Sequence, residues 1–310
     1  MSFRSALRHT ERGESMRFNS AFGKQEERAA WLFVLPAAVS LALFTFYPML
    51  NALTISFKEY SLINPEAVFV GLANYSGLLS DPKFINSLLH SFHFALVVIP
   101  VQTALALGLA LLIYRSSWVT GLFRTIYFMP VVIAIGVAST LFKLIYNQDY
   151  GLLNSLLGFF GAGPVSFLSD PNLALYGIML LGVWKSAGFF MIIFVAGLNG
   201  IPNDLYEAAE VDGATRAQKF VKITLPLLRR TLTFVIIITT MDALKIFVPV
   251  ALVTGGGPAD STTTAVYYIY KIAFQQMEMG YGTAAAFILF VIVMCISIVQ
   301  LRLLRTDVEY

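Results

Sequence analysis

A chain of 310 residues that is 57% hydrophobic and only 13% charged cannot supply the polar surface a soluble domain of that size needs. Its net charge of +3 gives no support to a nucleic-acid groove. The single cysteine, Cys295, excludes an intramolecular disulfide and a thiolate metal cluster, and is expected to serve packing.

The first 28 residues read as a polar cytoplasmic tail with charges of both signs, and Met16 is an alternative start. Six apolar windows follow, near the roughly 20 residues that cross a bilayer as a helix: 31–57, 88–114, 122–144, 173–198, 227–253 and 283–304. The first is longer than a signal-peptide core and has no small-residue cleavage site after it, so it reads as a retained span. Continuous apolar runs such as 104–112, rich in small residues, predict packed helices and exclude the alternating strands of a barrel. The fold class is all-α and polytopic, with a transmembrane domain over 29–305 and a short tail at 306–310.

Positive charge near membrane ends is retained in the cytoplasm. With both termini inside, the cytoplasmic segments hold 15 of the 21 Lys and Arg residues: six in the tail from Arg4 to Arg28, then Arg115, Arg124, Arg216, Lys219, Lys222, Arg229, Arg230, Arg302 and Arg305. The outer loops hold Lys58, Lys83, Lys143 and Lys271, while Lys185 and Lys245 fall inside spans. This orientation sets the chain in the cytoplasmic membrane with its polar loop 199–226 on the inner side.

His9, His90 and His93 lack a third ligand at metal spacing, so no metal site is expected. Neither a Ser/His/Asp set nor a pair of carboxylates marks a catalytic centre. There is also no Gly-x-x-x-x-Gly-Lys-Ser/Thr phosphate loop, which leaves any ATP and magnesium to a partner.

Loop 199–226 is the most informative stretch. Pro202, Asn203 and Asp204 open it with helix-start chemistry, and Asp204 with Glu207 is expected to form a capping box. Asp212-Gly213 breaks that helix, since glycine tolerates the left-handed C-cap. Thr215 and Gln218 supply a second capping box, and Pro226 suits the first turn of the following span. The pattern is helix, turn, helix. Ala208 and Ala209 leave a low face, while Glu207 and Asp212 offer charge-assisted contacts to a basic partner.

Glu207-Ala208-Ala209, Asp212-Gly213-Ala214, Phe220, Ile223 and Leu225-Pro226 together resemble the EAA loop of permease subunits of binding-protein-dependent ABC importers. Further likeness lies in 69–75, Asp81-Pro-Lys-Phe84, Tyr127-Phe-Met-Pro130, 198–202, 252–258 and 280–284, and it is closest in kind to the first permease subunit of the maltose and glycerol-3-phosphate uptake class. The resemblance implies the type I importer (MetI-like) fold and import of a carbohydrate or polyol by alternating access. It also implies a second homologous permease, two copies of an ATPase whose cleft seats the EAA loop, and an extracytoplasmic solute-binding protein. Gly255–Pro258, a tight or flexible turn by its glycines, would lie near the binding-protein dock.

Polar groups inside spans mark a cavity or an internal pair. In the fourth span Gly182, Ser186 and Phe189 share a helical face; Trp184 and Phe189 can stack on sugar rings and Ser186 can bond a hydroxyl, or the same residues pack the bundle. In the fifth span Asp242, Ala243, Lys245 and Ile246 offer either a solute contact through Asp242 or a neutralising Asp242–Lys245 pair. The resemblance places Val131 and Ile135 of the third span opposite, making that part of any site nonpolar. An ion-coupled secondary transporter of a small polar solute is the alternative, resting on Asp242 and Lys245 without visible inverted repeats. A channel would rest on the triple glycine alone.

Overall fold

The computed structural model describes residues 20–63, 66–114 and 118–304. The expected tail as far as residue 19, Arg115, Arg305 and residues 306–310 lie outside the described residues. The described residues divide into two units at Thr54/Ile55, two residues before the end of the second helix. In the first, α1 (Ser20–Leu41) passes through a wide π turn, Ala42–Phe46, into α2 (Tyr47–Ser56), which covers the first predicted span.

The second unit opens with a two-stranded antiparallel pair, β1 (Lys58–Glu59) and β2 (Val68–Phe69), in the register Lys58 to Phe69 and Glu59 to Val68. A short helix α3 (Ala73–Ser80) follows, and the Asn74 amide donates to the carbonyls of Ser56 and Lys58, both at 2.9 Å. Asp81 then caps α4 (Pro82–Ile113) by accepting the Lys83 amide at 2.9 Å, with Pro82 in the first turn where a missing N–H costs nothing.

After α4 come α5 (Trp118–Val132), α6 (Ile135–Ile145), α7 (Leu152–Phe159) and α8 (Ala174–Asn199). The polar loop carries α9 (Asn203–Val211) and α10 (Arg216–Lys219), and a π turn Phe220–Thr224 and α11 (Leu225–Leu227) lead into α12 (Arg229–Leu244). A third π turn, Val250–Thr254, then α13 (Ala265–Tyr270), a fourth π turn, Lys271–Gln275, and α14 (Met279–Leu304) complete the unit.

The core runs along α4, α8 and α12. Phe94, Ala95 and Val98 of α4 meet Ile178, Met179 and Val183 of α8 and Ala243 and Leu244 of α12. Further along, Ala106 and Ala110 meet Phe190, Met191 and Phe194, with Leu228 and Val235. The order of these contacts sets α4 and α8 parallel and α12 antiparallel to them. Small residues carry the approach, as they must where lipid is as apolar as the protein and only close packing favours association. Gly188 is the extreme case: a Cβ built there would lie 2.1 Å from the Tyr127 carbonyl oxygen of α5.

Two predicted spans differ from their continuous form. The window 122–144 is bent by 96° between Thr120–Val132 and Ile135–Ile145, so four helices of the described residues are long and apolar enough to span, or five with the bent pair taken as one. The window 227–253 stops at Leu244 and resumes at Val248. Proline explains the second: Pro249 can neither donate to Lys245 nor sit behind its carbonyl without a clash. Cys295 is exposed on α14 rather than packed within this chain.

Candidate functional site

An interrupted helix inside a bilayer frees carbonyls that water cannot reach, so some side chain has to take them. Three do so here. At the end of α4, the Arg124 guanidinium donates to Ile113 O at 2.8 Å and Tyr114 O at 3.0 Å. At the α5–α6 elbow, Lys185 Nζ donates to Val131 O at 2.8 Å. At the break after α12, the buried Thr264 hydroxyl donates to Ile246 O at 3.1 Å.

Around the elbow, consecutive residues of α8 hold both arms. Trp184 lies on Phe142 of α6, with ring centroids 5.0 Å apart, while Lys185 and Gly188 hold α5. The elbow is brought to the other break as well, for a Cβ on Gly136 of α6 would touch Leu252 of the π turn at 3.6 Å. Val131 and Ile135 flank the elbow instead of standing one turn apart on a continuous helix.

The remaining pathway residues divide by burial. Ala243 is 3% exposed within the core, and Gly182 is half-buried beside Phe94. Ser186 is half-buried; Phe189 is exposed and meets Phe190 edge-on. Asp242 and Lys245 are both exposed, and among the described residues no ion pair within 4.0 Å joins them. Ile246 is half-buried against the core around Ala243 and Leu244.

Sequence reasoning missed Gln102, 1% exposed within α4. With its amide oriented to satisfy both ends, its nitrogen donates to Val183 O at 3.2 Å and its oxygen accepts from Ala187 N at 3.0 Å. It thus pins the turn of α8 that carries Trp184, Lys185 and Ser186. A lone amide in the apolar run 88–114 was the available signal.

The polar loop forms a capped helix pair, with one correction. Pro202 is the N-cap of α9 and no side chain caps it, so the expected Asp204–Glu207 box is absent; Asp204 lies in the first turn, where its charge still suits the helix dipole. The other end is a complete Schellman turn. Gly213 has φ +73°, its amide donates to Glu210 O at 3.0 Å, and the Ala214 amide reaches Ala209 O at 2.8 Å. The Thr215–Gln218 capping box is formed, at 3.3 Å and 2.7 Å.

Glu207, Ala208, Asp212 and Gly213 are exposed, while Ala209, Ala214 and Phe220 are half-buried. Lys219 pairs with Glu210 across the turn, and Tyr206 bonds Thr224 at the root of the next span. The loop is therefore rigid, outward-facing and joined to α12.

At the far end of α4, a cavity of about 510 Å³ lies between the Asp81 cap, His90, and the segment holding Asp260, Tyr268, Lys271 and Glu278. Burial, and then the bond to Asp81, push the Tyr268 phenol above its usual range, so it remains a donor. His90 bonds Thr263 O at 3.1 Å and His93 bonds Tyr176 at 3.1 Å, each in a separate contact.

Interrupted apolar helices around capped carbonyls, with a capped polar helix pair at the foot of one of them, are the architecture of a multi-pass membrane subunit. Residues 70–306 match the family described as the binding-protein-dependent transport system inner membrane component, and the chain belongs to it.

Similar proteins include the sulfoquinovosyl glycerol transport system permease protein SmoG of Agrobacterium fabrum, 34% identical over 278 residues, covering 89% of this chain and 90% of that protein. The trehalose/maltose transport system permease protein MalF of Thermococcus litoralis is 34% identical over 284 residues, covering 91% and 95%. The sn-glycerol-3-phosphate transport system permease protein UgpA of Agrobacterium fabrum is 35% identical over 281 residues, covering 90% and 96%. In fold, the chain resembles a chain of a bacterial alginate ABC transporter crystallised with an alginate pentasaccharide-bound periplasmic protein, with a TM-score of 0.81, 24% identity, and coverage of 92% of this chain and 98% of that one.

The chain is thus a permease subunit of an ABC importer that works with a solute-binding protein, and its fold is that of such permeases. Nothing in the comparisons favours the ion-coupled carrier.

Proposed function

We propose that this chain is one half of a pseudo-symmetric permease pair that carries a sugar, oligosaccharide or polyol inward by alternating access. Both termini lie in the cytoplasm, and two copies of a separate ATPase use ATP and magnesium, of which this chain binds neither. Glu207, Ala208, Ala209, Asp212, Gly213, Ala214 and Phe220 form the surface that seats on one ATPase. Closure of the ATPase pair would then rock the permeases as rigid bodies.

The observation that carries this reading is the rigid join between the capped helix pair and the foot of α12, since a knob can transmit force only if it cannot bend at its base. The named relatives support the carbohydrate class, because each is named for a sugar or a glycerol derivative as its solute. Trp184, Ser186, Phe189, Asp242 and Lys245 are the proposed solute contacts, beside the nonpolar Val131, Ile135 and Ile246. The cavity at the head of α4 faces the binding protein.

The test is purification from native membranes in mild detergent, with partner identification and ATPase assay against candidate binding proteins and sugars. Recovery of a second permease and an ATPase, with hydrolysis stimulated by a sugar-loaded binding protein, is expected. A chain that transports without an ATPase would overturn the reading.

A further inference from the structure

In an unbroken helix, the Val131 carbonyl would accept from the amide of Ile135, four residues on. The elbow takes that amide away, because α6 starts at Ile135 with its axis turned by 96°. Lys185 supplies the missing donor from α8 at 2.8 Å. The ammonium also sits at the carbonyl end of α5, where the helix dipole favours a cation.

Val131 O therefore depends on Lys185 only while the segment is bent and the Ile135 amide is out of reach. In the bent arrangement it accepts from Lys185; in a straight α5–α6 helix it would accept from Ile135 N–H and release the ammonium. Each arrangement gives the carbonyl a donor, so neither carries the cost of an unpaired acceptor inside the bilayer, and the bent one relies on Lys185 for it. The neighbours of Lys185 on α8 fit such an exchange. Gly188 brings the α5 backbone into close contact, while Trp184 meets α6 through the tilted ring of Phe142.

We infer that Lys185 is a positioning residue for solute passage: its ammonium substitutes for the Ile135 amide on Val131 O and so sets the balance between a bent and a straight α5–α6 segment beside the pathway. It acts through the backbone and does not touch solute. The inference rests on the transport reading above only for its uptake readout.

The test uses the full chain with its co-purified partners in nanodiscs, with spin labels on Gly121→Cys and Leu144→Cys in a Cys295→Ser background. Both labelled positions are exposed, and Cys295 is the sole native cysteine. At 1.5 Å per residue the label sites stand about 20 Å apart across the elbow and about 35 Å apart on a straight helix. Lys185→Met is expected to move population to the longer distance and lower the maximal uptake rate about fivefold or more, with KM unchanged and with Lys185→Arg restoring both. Lys185→Gln, polar but too short to reach, serves as the second truncation should the methionine variant fail to assemble, and it should behave alike.

An unchanged distance distribution in the truncated variants overturns the inference whatever uptake does. A raised KM at an unchanged maximal rate overturns it also, because the ammonium would then hold solute. If the unmodified complex moves no sugar but the truncation still shifts the distance, the transport reading fails and the elbow inference stands.

Discussion

Tyr206 and Thr224 share a hydroxyl-to-hydroxyl hydrogen bond of 2.9 Å that ties the first helix of the polar loop to the root of the fifth span. Thr224 is 5% exposed and lies in the π turn, while Tyr206 packs against the core cluster around Leu198, Ile201 and Leu228. Force applied to α9 therefore reaches α12 through a polar bond and an apolar seat, as well as through the chain.

A double-mutant cycle measures that bond. Tyr206→Phe and Thr224→Val should each lower stability by about 1 kcal/mol, and the pair should cost less than the sum by a similar amount. The same variants should lose uptake relative to ATP hydrolysis in proteoliposomes. Additive effects would mean that the two hydroxyls are not coupled in the assembled transporter.

Gly213 tests the turn itself. Its φ of +73° is open to glycine, tolerable to asparagine and strained for a branched side chain, at a cost of roughly 1–3 kcal/mol. Space is not the constraint, because a Cβ there meets nothing within 4 Å. Gly213→Val should insert into the membrane and assemble, yet hydrolyse ATP with at least a severalfold loss of uptake, whereas Gly213→Asn stays near the native ratio. Equal uptake per ATP in all three proteins would remove the coupling role from this turn.

Close approach of α8 to α5 makes Gly188 intolerant for the opposite reason. A Cβ would stand 2.1 Å from Tyr127 O, a contact with backbone that cannot rotate away. Gly188→Ala should destabilise the protein by roughly 1–3 kcal/mol, read as a lowered Tm in detergent. Gly108→Ala on α4, where a Cβ meets nothing within 4 Å, should leave Tm unchanged or raise it slightly. A Gly188→Ala variant as stable as the native chain would mean that the two backbones separate freely.

The helix pair of the polar loop was legible because caps are local: Gly213 and the Thr215–Gln218 box act within four residues, and the sequence carries all the chemistry. Asp204 misled because Pro202 already supplies the extended entry that a capping side chain would otherwise fix. The elbow was hidden by its own composition. Val131 and Ile135 look like one helical face, and the donor that takes the freed Val131 carbonyl lies 54 residues away. Gln102 was hidden in the same manner, since its partners at Val183 and Ala187 belong to a different helix. Long-range satisfaction of backbone groups has no periodic signature.

Asp242 offers a test between the two readings that the sequence left open. A neutralising pair with Lys245 would bring opposite charges together within the bundle, yet among the described residues no ion pair within 4.0 Å joins them and both side chains are exposed. Under the proposed function an exposed carboxylate beside an interrupted span would accept solute hydroxyls, and one charge-assisted hydrogen bond is worth about 1.5–3 kcal/mol, or roughly a tenfold change in affinity or more. Asp242→Asn preserves shape and one acceptor while removing the charge. It should therefore raise KM for sugar uptake about tenfold and leave Tm unchanged, and Lys245→Met should not reproduce the effect. A lowered Tm in Asp242→Asn with KM intact, mirrored in Lys245→Met, would instead make the two residues a structural pair in the assembled transporter.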